Sequence, residues 1–406
     1  MAHQVERYHS LDFLRAAMMF LGILLHATLS FAATPVPFWP AADTQRSQAA
    51  DFFIFVVHTF RMQTFFLLAG LFGCLLAQRA GLMGLLKHRF LRIVVPFGLA
   101  LLIIQPTLQA LWLLGNVDAL RYVGVPFNVN TPRLQLLEDQ FLTGRFLLSI
   151  YPFHLWFLYF LIVFFLLMVP LVLLGRQSPN ALGDRLFRRL LTLPGRSLIL
   201  AGLTAPLLYL MQLPGMVDTP NKWHLPPHLL GYYFLFFLFG WLLWRQRDLL
   251  PAFTRRWGWS LAVANLMVLP VFLSLVFEAL AAMLKRGPSL SNPAEMALCL
   301  TGAWYTWLMA GGLLGLFGYC FQRERRWVRY LADASYWCYL WHLTPIIALQ
   351  IALQDAALPG LVKFAIIVGV SLAVLLTSYQ WGVRYTSIGR LLNGRRSRIE
   401  KQATVT

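Results

Sequence analysis

Residues 12–33 read DFLRAAMMFLGILLHATLSFAA. The stretch is long and apolar enough to cross a bilayer as a helix, apart from Arg15 and His26. Both residue types are costly in lipid, so each needs a partner or a task. Eleven residues separate them, which is about three helical turns and roughly 16 Å of rise. At about 100° per residue the two side chains point within about 20° of each other. They share one face, the arginine near the membrane surface and the histidine toward the middle. Such a stripe suits a substrate that is anionic at one end and reactive at the other. A snorkelling arginine and a histidine bonded to a neighbouring helix would account for this stretch equally well.

The rest of the chain also reads as membrane protein. Of 406 residues, 59% are hydrophobic and 12% charged, with a mean hydropathy of +0.63, whereas soluble domains carry about 25% charge. The net charge of +18 would suit nucleic acid. The basic residues, however, sit in short loops between apolar runs, where orientation signals belong, so the expected partner is the lipid bilayer and not nucleic acid. Cys74, Cys299, Cys320 and Cys338 fall in or beside apolar runs and read as small core residues. Neither a metal site nor a resident cofactor is expected from these spacings. The first span reads as an uncleaved helix, because Arg15 interrupts the approach to its apolar run.

Apolar runs of span length fall near 12–33, 52–77, 91–114, 153–175, 197–213, 228–244, 259–283, 296–320, 334–353 and 361–383. The expected fold is an all-α integral membrane protein, one domain over 1–406, built as a bundle of about ten transmembrane helices. With both termini inside, 24 of the 34 Lys and Arg fall in inner segments and 8 in outer ones, counting Lys363 with the outer group. That bias supports an N-in, C-in arrangement. The outer loop near 115–152, with Pro126, Pro132, Glu138 and Asp139, could lie over an outward cavity. DRLFRRLLTL (184–193) has an apolar and a basic face and suits the interface plane. The basic tail NGRRSRIEKQ (393–402) suits solvent or lipid headgroups. No internal repeat is evident, which mildly disfavours repeat-built transporters.

Further ionisable residues lie within the spans. His58, Arg61 and Met62 share a face of the second. Arg61 is too deep to reach water easily and must meet a partner, a cavity or an anion. Glu278 is the main intramembrane carboxylate available to it. Arg89 and Arg92, three apart where the third span enters, could grip a phosphate by paired hydrogen bonds. His154 and Trp156 open the fourth span, and His342 lies about midway along the ninth. A lone buried histidine is usually structural; several converging on one cavity would not be. The chain has no Gly-rich phosphate loop, GxSxG elbow, HExxH or paired-carboxylate motif.

Arginine and histidine with ten residues between them on the first span resemble the signature of the acyltransferase 3 family of membrane acyltransferases. Arg89-Phe-Leu-Arg92 is similar to that family's cytoplasmic RxxR pair. FFLLAG (65–70) resembles its FFxxSG stretch, with Ala69 in place of the usual serine, and SYWCYLWH, ending at His342, resembles its Tyr-Leu-x-His segment. LDxxRA at 11–16, HTFRMQTFF at 58–66 and HLWFL at 154–158 are most similar to the branch linked to succinylation of osmoregulated periplasmic glucans.

The resemblance implies a multi-pass protein of the bacterial inner membrane. It implies a cytoplasmic acyl-CoA, succinyl-CoA expected, as co-substrate, and a periplasmic glucan or other polysaccharide hydroxyl as acceptor. On this reading Arg15, Arg89 and Arg92 bind acyl-CoA, and His26 is the general base, an acyl-accepting nucleophile being the alternative. Arg15 links donor site to base. Arg61 stabilises the oxyanion or binds the acyl group's free carboxylate. His58, His154, Trp156 and His342 line the acceptor side. The alternatives are O-acetylation of another envelope polymer or small sugar and, in a different class, a transporter or flippase. A homo-oligomer is left open.

Overall fold

The computed structural model describes residues 8–34, 36–115, 132–147, 150–176, 182–220, 223–286 and 293–394. Pro126 of the outer loop and all but the first two residues of the basic tail segment lie outside the described residues. The described chain is helical, with one isolated bridge, Ala32 to Ser47. In lipid every backbone polar group must be satisfied within the segment, and a helix does that for any apolar run.

The helices are α1 (His9–Thr28), α2 (Gln48–Arg89), α3 (Val95–Leu114), α4 (Arg133–Leu142) and α5 (Trp156–Arg176). There follow α6 (Leu182–Thr192), α7 (Arg196–Tyr209), α8 (Pro227–Arg245), α9 (Leu250–Thr254), α10 (Trp257–Ala262) and α11 (Leu269–Arg286). The chain then forms α12 (Pro293–Cys320), α13 (Arg326–Trp341), α14 (Leu343–Leu353), α15 (Gly360–Ser378) and α16 (Ser387–Asn393).

All ten stretches predicted to span are helical. Among the described residues, seven helices are long and apolar enough to cross a bilayer, one of them the 67-residue run Gln48–Leu114. At about 1.5 Å per residue that run would be roughly three bilayer cores long if straight. It breaks at Gly81, where φ is 70° and ψ 178°. A side chain would be strained there, so glycine makes the turn. The run therefore carries two of the predicted stretches. Two others, Arg196–Tyr209 and Leu343–Leu353, are shorter apolar helices. The ninth stretch is not one helix: it is divided at His342 between α13 and α14.

α1 is the axial element, packed against α2, α12, α13, α14 and α15. α2 crosses α8 at very short range. A Cβ on Gly70 would overlap the Phe237 carbonyl, and one on Gly240 the Leu67 carbonyl. Small residues permit such backbone approach, which is how helices gain dispersion contacts where lipid provides no hydrophobic drive. An aromatic block, Phe66, Phe157, Phe160, Phe164 and Tyr233, fills the space around that crossing.

One charge expectation changes. Lys363, counted above with the outer group, is fully buried, with Nζ 3.1 Å from both carboxylate oxygens of Asp43. A buried ammonium needs such a partner. Cys320 is exposed at the end of α12, while Cys74, Cys299 and Cys338 are buried and all four are free. The 184–193 segment forms α6, with Phe187 and Leu191 packed on the bundle and its arginines exposed. Arg188 pairs with Asp248 at 2.6 Å and Asp184 with Arg245 at 2.7 Å, which fastens α6 to the end of α8 and the turn after it.

Candidate functional site

The basic end of the bundle holds a cavity of about 370 Å³. Arg15, Arg89 and Arg92, singled out from spacing, all line it. Arg79, His88 and Arg329 line it too, and no motif pointed to them. Arg92 lies in a π-helical turn, Phe90–Val94, between α2 and α3. Such turns recur at functional sites. Arg92 Nη1 donates to Leu392 O at 3.1 Å, and Tyr336 Oη donates to Arg92 O at 2.7 Å. Arg89 lies over the Phe165 ring, 4.6 Å from its centroid, and its Nε has no hydrogen-bond partner. Arg15 touches Asp12 at 3.5 Å and lies over Phe72. Several cations facing one cavity with few carboxylates suit a polyanionic ligand.

The second half of the site lies deeper. His342 Nδ1 is 2.7 Å from Tyr339 O, and His342 Nε2 is 2.9 Å from His26 Nδ1. A peptide carbonyl only accepts, so His342 Nδ1 carries a hydrogen. In the neutral ring Nε2 is then a bare acceptor. The hydrogen between the two rings therefore belongs to His26 Nδ1. Neutral His26 is left with an unprotonated Nε2, which no group among the described residues engages. This is the tautomer a proton-abstracting base requires. His342 sits where α13 meets α14 with helical φ and ψ, and its ring turns back onto the Tyr339 carbonyl of α13.

Arg61 reaches the same place from α2. Its guanidinium rests on α1 at Gly22, one turn before His26, and a Cβ on Gly22 would overlap Nη1. Its Nε is buried without a partner. Among the described residues no carboxylate lies within ion-pair reach of it, and Glu278 is exposed on α11, so the expected partner is not one. His342, Arg61, His154 and His58 all lie within electrostatic reach of His26.

His154 sits edge-on to His342, ring centroids 5.0 Å apart. Its Nε2 donates to Leu340 O at 3.0 Å, and its Nδ1 is buried without a partner. The residue before it, Phe153, has φ 40°, a strained value for an aromatic residue. His58 Nε2 donates to Val217 O at 2.9 Å, which turns the ring toward the 210–220 segment. Trp156 is buried among Phe66, Phe160 and Tyr233.

The cavity's lining includes Met19, Phe65 and Tyr339 but not His26. Met19 lies seven residues before His26, about 10 Å along the helix. Arg15 lines the cavity, and His26 lies beyond its lining residues on the same helix.

Residues 8–379 match the acyltransferase domain that defines the acyltransferase 3 family. A shorter segment of 160 residues is similar to proteins named glucans biosynthesis protein C. It is 29% identical in Escherichia coli O6:K15:H31 (strain 536 / UPEC), 28% in Shigella dysenteriae serotype 1 (strain Sd197) and 27% in Escherichia coli K12. That segment covers 39% of this chain and 37% of those relatives, so the chain matches well under half of their length. No solved structure matches significantly. With nearly the whole described chain inside the domain, the protein belongs to the acyltransferase 3 family of membrane acyltransferases.

Proposed function

We propose that the chain is a membrane O-acyltransferase that takes an acyl group from a CoA thioester held in the basic cavity. It delivers that group to a polysaccharide hydroxyl entering from the opposite face. The observation that carries the proposal is the chain His26 Nδ1–H to His342 Nε2, His342 Nδ1–H to Tyr339 O, which leaves His26 Nε2 bare beside an unpaired guanidinium. The family's cytoplasmic donor, the inner-membrane location, the succinyl group and the periplasmic glucan acceptor complete the reading. The similarity to glucans biosynthesis protein C supports the glucan acceptor.

The chemistry balances without a further reactant. His26 Nε2 takes the proton of the hydroxyl as its oxygen attacks the thioester carbonyl carbon. Charge gathers on the carbonyl oxygen, where Arg61 stabilises it. The intermediate collapses to the ester, and the expelled thiolate takes the proton back from His26 Nε2. His342 holds the His26 ring and accepts its Nδ1 hydrogen throughout, so the imidazolium forms with its second N–H already satisfied. The diphosphate and 3′-phosphate of CoA stay with Arg15, Arg89 and Arg92, and only the thin pantetheine arm goes deeper.

Two measurements test the donor half. Arg89→Ala combined with Arg92→Ala should weaken CoA binding by about 100-fold or more, since each charge-assisted contact is worth about 1.5–3 kcal/mol. Unchanged affinity would make both arginines orientation signals only. The arm must pass Met19, whose flexible thioether can swing aside. Met19→Trp should leave CoA affinity intact while cutting transfer by about tenfold or more, at least 1.4 kcal/mol in the barrier. Undiminished transfer would mean the thioester arrives by another route. A transporter with the same residues would release no free CoA from acyl-CoA in purified form, and that result would overturn the proposal as a whole.

A further inference from the structure

We propose that Trp39 is a positioning residue for the His26 base, presented by a loop that folds back into the bundle. The inference rests on the reading of His26 as base. Between α1 and α2, Trp39, Pro40, Ala41 and Asp43 turn inward and are buried, while Phe38, Ala42 and residues 44–47 stay exposed. Asp43 N donates to Ser30 O at 2.8 Å and Ser47 N to Phe31 O at 2.9 Å, which ties this segment to the turn that follows α1. The Asp43 carboxylate is held by buried Lys363, whose Nζ also donates to Gln354 O at 2.9 Å. Trp112 Nε1 donates to Phe38 O at 3.1 Å, and the Trp112 ring meets the Trp39 ring edge-on.

The outcome is an indole only 5% exposed, lying parallel to the His26 ring at an interplanar angle of 6° and a centroid distance of 5.8 Å. Gln350 locks the pair. Trp39 Nε1 donates to Gln350 Oε1 at 3.0 Å, and Gln350 Nε2 donates to His26 O at 3.0 Å and Ala27 O at 3.1 Å. An indole N–H can only donate, so the amide orientation follows from the contacts themselves. One buried amide thus fixes both the indole and the backbone that carries the base.

His342 restrains the His26 ring at one nitrogen only. A ring held at a single point can still tilt about its Cβ–Cγ bond and carry Nε2 off line. The parallel indole closes that freedom from one face. It also lies within the roughly 6 Å at which an aromatic face attracts a cation, so it favours the imidazolium that forms during transfer.

The test uses the full chain in proteoliposomes, with succinyl-CoA as donor, glucan oligosaccharides as acceptor and CoA release as the readout. Trp39→Leu should lower kcat by about 100-fold, the effect of a misplacement near 1 Å. The donor KM should stay within about twofold, because neither Trp39 nor His26 is among the residues lining the arginine cavity. Trp39→Phe keeps a parallel ring and should stay within about threefold of the parent. If Trp39→Leu does not fold, Gln350→Leu takes its place. It leaves the indole but frees it, and a kcat loss of about tenfold is expected. Parental kcat in Trp39→Leu, an equal loss in Trp39→Phe, or an unaffected Gln350→Leu would each overturn the inference. A fully active His26→Ala would remove the base reading and this inference together. An inactive His26→Ala beside a fully active Trp39→Leu would remove the inference alone.

Discussion

His26→Ala should abolish acyl transfer, by about 10³-fold or more, while the protein still inserts in the membrane and still binds CoA. A positioned base contributes about 10²–10⁴-fold, and His26 is the histidine whose free Nε2 is set by the hydrogen bond from its own Nδ1 to His342. In the proposed donor site CoA is held by the arginines, and His26 is not among the residues lining that cavity, so CoA affinity should not follow the histidine. His342→Ala should cost less, about 10–100-fold, because it removes the acceptor that holds the His26 Nδ1 hydrogen and not the base itself. His342→Gln keeps an acceptor and should recover part of the loss. Initial rates of CoA release and of acyl-glucan formation measure both. Transfer that survives in His26→Ala places the base elsewhere. Recovery by His342→Gln equal to none would show that the ring, and not its acceptor atom, matters.

Arg61→Ala should lower kcat by about 10²–10³-fold, the range seen when one oxyanion-stabilising donor is lost. Arg61→Lys should not restore it, because an ammonium cannot present a planar pair of donors. The structure adds an independent handle. Gly22 has no side chain where the guanidinium lies, and a methyl there would overlap Nη1. Gly22→Ala should therefore shift Arg61 and reduce transfer in the same direction without touching a charged group. In an Arg61→Ala background the Gly22→Ala change should have little further effect, since residues acting through one contact are not additive. Additive losses would detach Gly22 from the guanidinium. Comparing succinyl-CoA with acetyl-CoA separates the two roles open to Arg61. A greater loss with succinyl-CoA points to the distal carboxylate, and equal losses point to the oxyanion.

Helical periodicity is local, and what depends on it was legible in the chain. Arg15 and His26 share a face because 3.6 residues make a turn, whatever surrounds them. The helical membrane architecture follows from runs of apolar residues whose backbone must be satisfied internally. Arg89 and Arg92 lie together because three residues separate them, and the family motifs Arg15…His26, Arg89…Arg92 and Tyr339…His342 are all short strings. Histidines on separate spans raised the question of convergence but could not answer it.

The answer comes from contacts between residues far apart in sequence, which no local pattern encodes. His26 and His342 are 316 residues apart, and Asp43 and Lys363 are 320. Lys363 counts as an outer positive charge until Asp43 is found beside it, since burying an unpaired ammonium is costly. Trp39 and Gln350 carry no motif, and Gly22 is one glycine among 28. Their importance lies in shape: a face, an amide and a gap that matter only where other helices bring the base and the guanidinium. The sequence by itself therefore determined that the chain is a helical membrane protein with a basic entrance and buried imidazoles. The tertiary structure alone decided that the His26 and His342 rings meet, which nitrogen of His26 that contact leaves free, and which residues line the basic cavity. Spacing along a helix is set by backbone geometry, whereas packing order is set by how whole surfaces fit.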